Sequence, residues 1–261
     1  MADAAISIER VDKRYVGRGR EVVALDHVSL EVAEGEFIAF VGPSGCGKST
    51  LLNMIAGIVP MTSGAILHEG RKVTAINRRV GYLTQADSVL PWRTVEQNVA
   101  LPLEFRGLSA AERQRRVAEM LDLVDLKGFG KAFPKELSGG MRKRVALAQM
   151  LAYEPDTLLM DEPFGALDAQ LKLVMQQQLL RIWQEQRKTI VFVTHDLAEA
   201  IALASRVVVF SGRPGRIKTI APIDIPYPRD VFKVRFLPAF EKAYDQLWRE
   251  LSPEIAKGEE L

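Results

Sequence analysis

Three short stretches of this chain have the residue types and spacing to handle phosphate. Gly42-Pro43-Ser44-Gly45-Cys46-Gly47-Lys48-Ser49-Thr50 follows the apolar run Phe37 to Val41 and leads into Leu51-Leu52-Asn53-Met54-Ile55. It fits G-x-x-x-x-G-K-[ST] in the strand–turn–helix setting that the pattern needs. Glycines let the backbone curl until several N–H groups face one set of phosphate oxygens. The helix start adds partial positive charge at the same spot. Lys48 is expected to bridge β- and γ-phosphates, and the Ser49 hydroxyl to ligate Mg²⁺. The second stretch, Leu158-Leu159-Met160-Asp161-Glu162, turns acidic at the end of an apolar run, the place where open α/β sheets bind ligands. Asp161 would hold Mg²⁺ through water, and Glu162 would take a proton from an attacking water. Two adjacent carboxylates beside one cation make chemical sense when their roles are split. The third, Leu137-Ser138-Gly139-Gly140-Met141, opens a helix with Ser138 at the N-cap and so makes another phosphate-facing N-terminus. One chain cannot easily bring two such loops to one phosphate.

The elements around these stretches follow from periodicity. Ile6 to Val11 and Val28 to Val32 alternate apolar and polar residues, as half-buried antiparallel strands do. Phe37 to Val41, Val80 to Thr84, Thr157 to Asp161 and Thr189 to Thr194 read as strands of a parallel sheet buried on both faces. Helical patterns separate them at Lys48 to Gly57, Ala110 to Val124, Gly139 to Ala152, Ala169 to Gln186 and Leu197 to Ala204. The alternation predicts a doubly wound α/β core. Residues 1-228 form one nucleotide-binding unit with a helical insert at about 86-155. Residues 229-261 form a short helical tail, amphipathic from Phe236 to Leu251, whose removal is expected to leave catalysis largely intact.

Composition excludes several classes. A net charge of +2 gives no argument for a polyanionic partner, so nucleic acid is not expected. Cys46 is the single cysteine, which rules out an internal disulfide. Met1-Ala2-Asp3-Ala4-Ala5 lacks the basic and apolar regions of a leader, and no window approaches the length of a membrane span. His27, His68 and the run Arg113, Arg115, Arg116 read as surface residues.

Leu137-Ser138-Gly139-Gly140-Met141 resembles the signature of ABC transporter ATPases, with Met141 where many of them carry Gln. The resemblance spans about residues 6 to 215. It implies a P-loop NTPase core of mostly parallel sheet with flanking helices, N-terminal antiparallel strands and a helical insert. It also implies a Mg²⁺-dependent ATPase acting as a head-to-tail homodimer. In that arrangement Ser138, Gly139 and Gly140 of one copy cap the ATP held by the other. Gln85 resembles the glutamine that touches Mg²⁺ or the attacking water. Ala166-Leu167-Asp168 resembles the loop that meets the opposite subunit. His195 resembles the switch histidine, and Tyr15 the aromatic that stacks on adenine.

Leu90-Pro91-Trp92-Arg93-Thr94-Val95, with Asp161-Glu162-Pro163-Phe164-Gly165-Ala166-Leu167-Asp168, is similar to the nitrate/sulfonate/taurine branch of bacterial importers. That implies a transmembrane permease partner, a periplasmic or lipid-anchored solute-binding protein, and a place on the cytoplasmic face of the inner membrane. Val89, Leu90, Pro91 and Trp92 are a candidate docking patch on the permease, against Trp92 as core of the insert. The alternatives are an ABC ATPase of a lipid or other exporter, a non-transport ABC ATPase, a P-loop kinase and a regulatory binding module.

Overall fold

Phe37–Val41 (β3), Thr157–Asp161 (β7) and Thr189–Val193 (β8) are buried at every position. Continuous apolar runs in the middle of a sheet covered on both faces demand that. The computed structural model describes residues 4–17, 20–86 and 88–259; Met1 to Asp3, part of the stretch on which the leader expectation rests, lie outside them. The remaining strands are Ala4–Gly17 (β1), Arg20–Ala33 (β2), Ser63–His68 (β4), Arg71–Lys72 (β5), Val80–Leu83 (β6), Arg206–Phe210 (β9) and Ile217–Pro222 (β10). The described residues form one sheet in the order β10-β9-β3-β8-β7-β6 and a second in the order β2-β1-β4-β5. In the first, β9, β3, β8, β7 and β6 run parallel, and β10 closes an edge antiparallel to β9. The second is antiparallel.

Four strands, β4, β5, β9 and β10, go beyond the set expected from the sequence. β5 has only two residues, and β10 ends on Pro222 at a sheet edge, where a proline is tolerated, whereas β9 is a largely buried apolar run as long as β3.

Seven helices accompany the strands among the described residues: Lys48–Ile55 (α1), Val95–Phe105 (α2), Ala110–Leu123 (α3), Gly139–Ala152 (α4), Ala169–Gln186 (α5), Leu197–Leu203 (α6) and Pro238–Glu259 (α7). None is long and apolar enough to cross a membrane. Helices α2 and α3 each start with a reciprocal cap, Thr94 with Gln97 and Ser109 with Glu112, which satisfies two orphan N–H groups at each end. Val95, Val99, Val117, Leu121 and Val145 pack the insert onto the main core.

Two expectations change. His68 is buried at 2% exposure, with Nε2 3.0 Å from Thr157 Oγ1, so it joins the two sheets and is not a surface residue. Its polar neighbours in sequence, Glu69 and Gly70, hide this. The tail is not a passive appendage either. Val231, Val234, Phe240, Leu247 and Leu251 belong to the main core. The buried Arg229 guanidinium donates to the carbonyls of Ile201, Ala204 and Ile225 at 2.8–2.9 Å. Truncation after Pro228 would therefore open the core. Arg116 likewise pairs with Glu154 and ties α3 to the end of α4.

Candidate functional site

The loop from Gly42 to Gly47 joins the buried end of β3 to α1. Gly47 caps α1 at φ 106. A Cβ there would meet the Ala24 carbonyl oxygen at 2.8 Å and Leu25 Cδ2 at 2.7 Å, so both space and dihedral require glycine. Gly45 is also left-handed, at φ 73. Lys48 is buried, and its Nζ donates to the carbonyls of Gly42 and Pro43 at 2.8 Å each. To reach a phosphate it must exchange those bonds for phosphate oxygens. Cys46 is buried beneath the loop, its Sγ 3.4 Å from Lys48 Nζ.

Asp161 ends β7 at 4% exposure near the Ser49 hydroxyl, while its Oδ1 has no hydrogen-bond partner. Burial raises its pKa above the usual aspartate value; the Ser49 hydroxyl and the nearby Lys48 and Lys143 pull the other way. A buried carboxylate oxygen without a donor, next to a hydroxyl, is a donor set that fits a hard divalent cation. Glu162 follows in left-handed backbone at φ 49, and its N–H bonds the Val193 carbonyl at 2.9 Å, locking β7 to the end of β8. Its Oε2 accepts from Gln85 Nε2 at 3.3 Å and lies 3.5 Å from His195 Nδ1. Parallel pairing of β6, β7 and β8 thus gathers Gln85, Glu162 and His195 at one sheet end.

A cavity of about 290 Å³ opens here, lined by Tyr15, Val22, Ala24, Ser44, Gly45, Gly47 to Thr50, Gln85, Glu162 and Arg213. Tyr15 is half exposed on β1, with Lys13 Nζ 4.7 Å from its ring centre. His195 is outside the lining and meets it through Glu162. Ser138, Gly139, Gly140 and Asp168 are not on the lining. Ser138 Oγ accepts from the Met141 N–H at 3.2 Å, capping α4. Asp168 Oδ1 accepts from the N–H groups of Gln170 and Leu171, capping α5. The two starts adjoin: a Cβ on Gly140 would meet Leu167 Cδ2 at 3.1 Å.

Several contributors carry no sequence signal. Arg213 donates to the Gly45 carbonyl at 3.3 Å, and Lys143 of α4 donates to the carbonyls of Thr84 and Gln85. Behind His195, the buried Glu199 accepts from Thr194 Oγ1 and from Gln176 Nε2, with Lys172 bridging Asp196 and Glu199. Burial raises the Glu199 pKa, and Thr194, Lys172 and Gln176 oppose the shift. Trp92 is 72% exposed. The loop beneath it is pinned by the buried Asn98, whose side chain bonds Leu90, Arg93 and Thr94 backbone groups at 2.7–3.1 Å.

The ABC transporter family model matches residues 25–165. The aliphatic sulfonates import ATP-binding protein of Bacillus subtilis is 41% identical, covering 94% of this chain and 98% of its own length. The taurine import ATP-binding protein of Rhizobium johnstonii is 46% identical over 88% of this chain and 89% of its own length. A solved ATP-binding cassette, described as a dimeric post-hydrolysis state bound to ADP and Pi, superposes with TM-score 0.79 at 32% identity. It covers 85% of this chain and 100% of that one.

Proposed function

The chain belongs to the ABC transporter family as an ATP-binding, ATP-hydrolysing subunit, and from that premise we propose that it powers import of a small sulfonate-, taurine- or nitrate-like solute. The observation that carries the catalytic reading is the meeting of Lys48, Ser49, Asp161, Glu162 and Gln85 at the carboxyl ends of the parallel strands. The sulfonate and taurine importers among its relatives support the solute class.

ATP lies with adenine on Tyr15 and its phosphates over the N–H groups of Ser44 to Thr50. Lys48 leaves the Gly42 and Pro43 carbonyls to meet the γ-phosphate. Ser49, Asp161 and Gln85 would hold Mg²⁺, which would offset charge on the phosphate oxygens. Glu162 accepts the proton of the attacking water, and His195 orients Glu162 or the γ-phosphate. Ser138, Gly139, Gly140 and Asp168 do not line this cavity, and they serve the nucleotide bound by a second copy. Closure of that homodimer is the power stroke. The subunit sits peripherally on the cytoplasmic face of the membrane. Its pinned loop with outward Trp92 docks on a permease, and a solute-binding protein delivers the cargo.

The test is capture of the tagged chain from native membranes, followed by ATPase assays of the isolated complex with taurine, alkanesulfonates and nitrate. A co-purifying permease and stimulation by one of these solutes is the expected result. Capture of an exporter permease, or phosphate passed to an acceptor other than water, overturns the proposal.

A further inference from the structure

The β4–β5 hairpin and the segment after it carry cations that nucleotide chemistry does not use. Arg71, Lys72, Arg78 and Arg79 line a cleft of about 320 Å³ together with His68. None of them lines the P-loop cavity. Arg79 pairs with Glu69 at 2.6 Å. Among the described residues, Arg71, Lys72 and Arg78 have no ion pair, and the lining includes no carboxylate. Cations lining one cleft repel one another less when an anion lies among them.

A second observation points the same way. His68 is almost wholly buried; Nε2 is taken by Thr157, and Nδ1 has no hydrogen-bond partner. Nδ1 can serve an anion in the cleft only as the Nδ1–H tautomer, with Nε2 accepting from the Thr157 hydroxyl. The backbone carrying Arg78 and Arg79 is fixed rather than loose. The Asn77 N–H bonds the Ala56 carbonyl at 2.9 Å, and the Arg79 N–H bonds Asn77 Oδ1 at 3.2 Å. The cleft holds about ten water volumes at ~30 Å³ each, room for one tetrahedral oxyanion and its inner waters.

We propose that this cleft binds a small multivalent oxyanion of the phosphate or sulfate type, held by Arg71, Lys72 and Arg78 with His68 in its wall. Guanidinium forks match two oxygens of such an ion at once, and lysine adds a point charge. The site lies at the amino end of β6, whereas Gln85 and the nucleotide cavity follow its carboxyl end. Both can therefore be filled together.

Calorimetric titration of the full chain with phosphate or sulfate tests this. Ionic strength is held constant with chloride, and saturating ADP keeps the P-loop filled. Saturable binding is expected. Arg71→Ala and Arg78→Ala, both at exposed positions, should each weaken it about tenfold, while Arg115→Ala on α3 should not. Vesicles containing phosphatidic acid identify the source: binding that free phosphate displaces assigns the oxyanion to a lipid headgroup, and no vesicle binding assigns it to a free ion. Heats no different from chloride mean that the cations are merely solvated and overturn the proposal. So does binding unchanged in the Arg71→Ala/Arg78→Ala double variant, an outcome that leaves the ATPase reading untouched.

Discussion

Glu162→Gln separates binding from chemistry. The amide is nearly isosteric, so the Gln85 contact at 3.3 Å and the Glu162 N–H bond to Val193 can both persist. Glutamine suits the left-handed backbone at φ 49 no worse than glutamate does. What disappears is the proton acceptor. Loss of a positioned general base removes roughly 10²–10⁴ in rate, or ~2.7–5.4 kcal/mol of barrier at 1.36 kcal/mol per decade. The fold should hardly notice. Glu162 raises the Asp161 pKa by like-charge repulsion, and neutralising it relieves that repulsion, so stability should stay within about 0.5 kcal/mol of wild type. Steady-state phosphate release at saturating ATP, nucleotide titration and urea unfolding measure the three quantities. The expected pattern is turnover down at least a hundredfold, ATP affinity and unfolding midpoint kept, and an ATP-bound dimer accumulating on a sizing column. Turnover within a few-fold of wild type would refute the role of Glu162. Equal losses of turnover and affinity would refute the separation.

Lys48→Ala removes both the phosphate charge and the bonds to Gly42 and Pro43. Nucleotide affinity should fall at least tenfold, the scale of one charged hydrogen bond at ~1.5–3 kcal/mol, and unchanged titration curves would contradict the loop's role. Trp183→Ala deletes a ring packed on Phe37 and Tyr227 and bonded to the Gly35 carbonyl at 2.9 Å; urea unfolding should show a loss of ~3–5 kcal/mol. Arg229→Met should destabilise by roughly 3 kcal/mol, because orphaned carbonyls cost ~1–3 kcal/mol each; calorimetric melting checks it. Glu254 is held below the usual glutamate value by the Gly212 N–H at 3.0 Å and by Lys218. A depressed folded pKa stabilises above the unfolded value of 4.5 and loses that contribution as pH falls through the folded pKa. Glu254→Gln should therefore unfold at lower urea than wild type at pH 7, with the gap closing below pH 4.5; a gap independent of pH would argue against the linkage.

The sequence by itself determined the chemistry that depends on neighbours along the chain. The glycine pattern of Gly42 to Gly47, the apolar run before it and the helix after it are contiguous, so the phosphate loop could be read without knowing what surrounds it. The same holds for the acidic end of β7 and for Ser138 before its two glycines. Edge strands such as β10 were illegible because they bury too little to impose a period on the residues. Only the tertiary structure decided which side chains meet. Parallel pairing of β6, β7 and β8 brings Gln85 and His195 to Glu162, and packing buries His68 and turns Arg229 and the tail into core. Arg213 and Lys143 reach the loop carbonyls by the same long-range route. The separation of Ser138 and Asp168 from the cavity is likewise a matter of packing. Residue type tells what a group can do, but distance through space sets which partner it does it with.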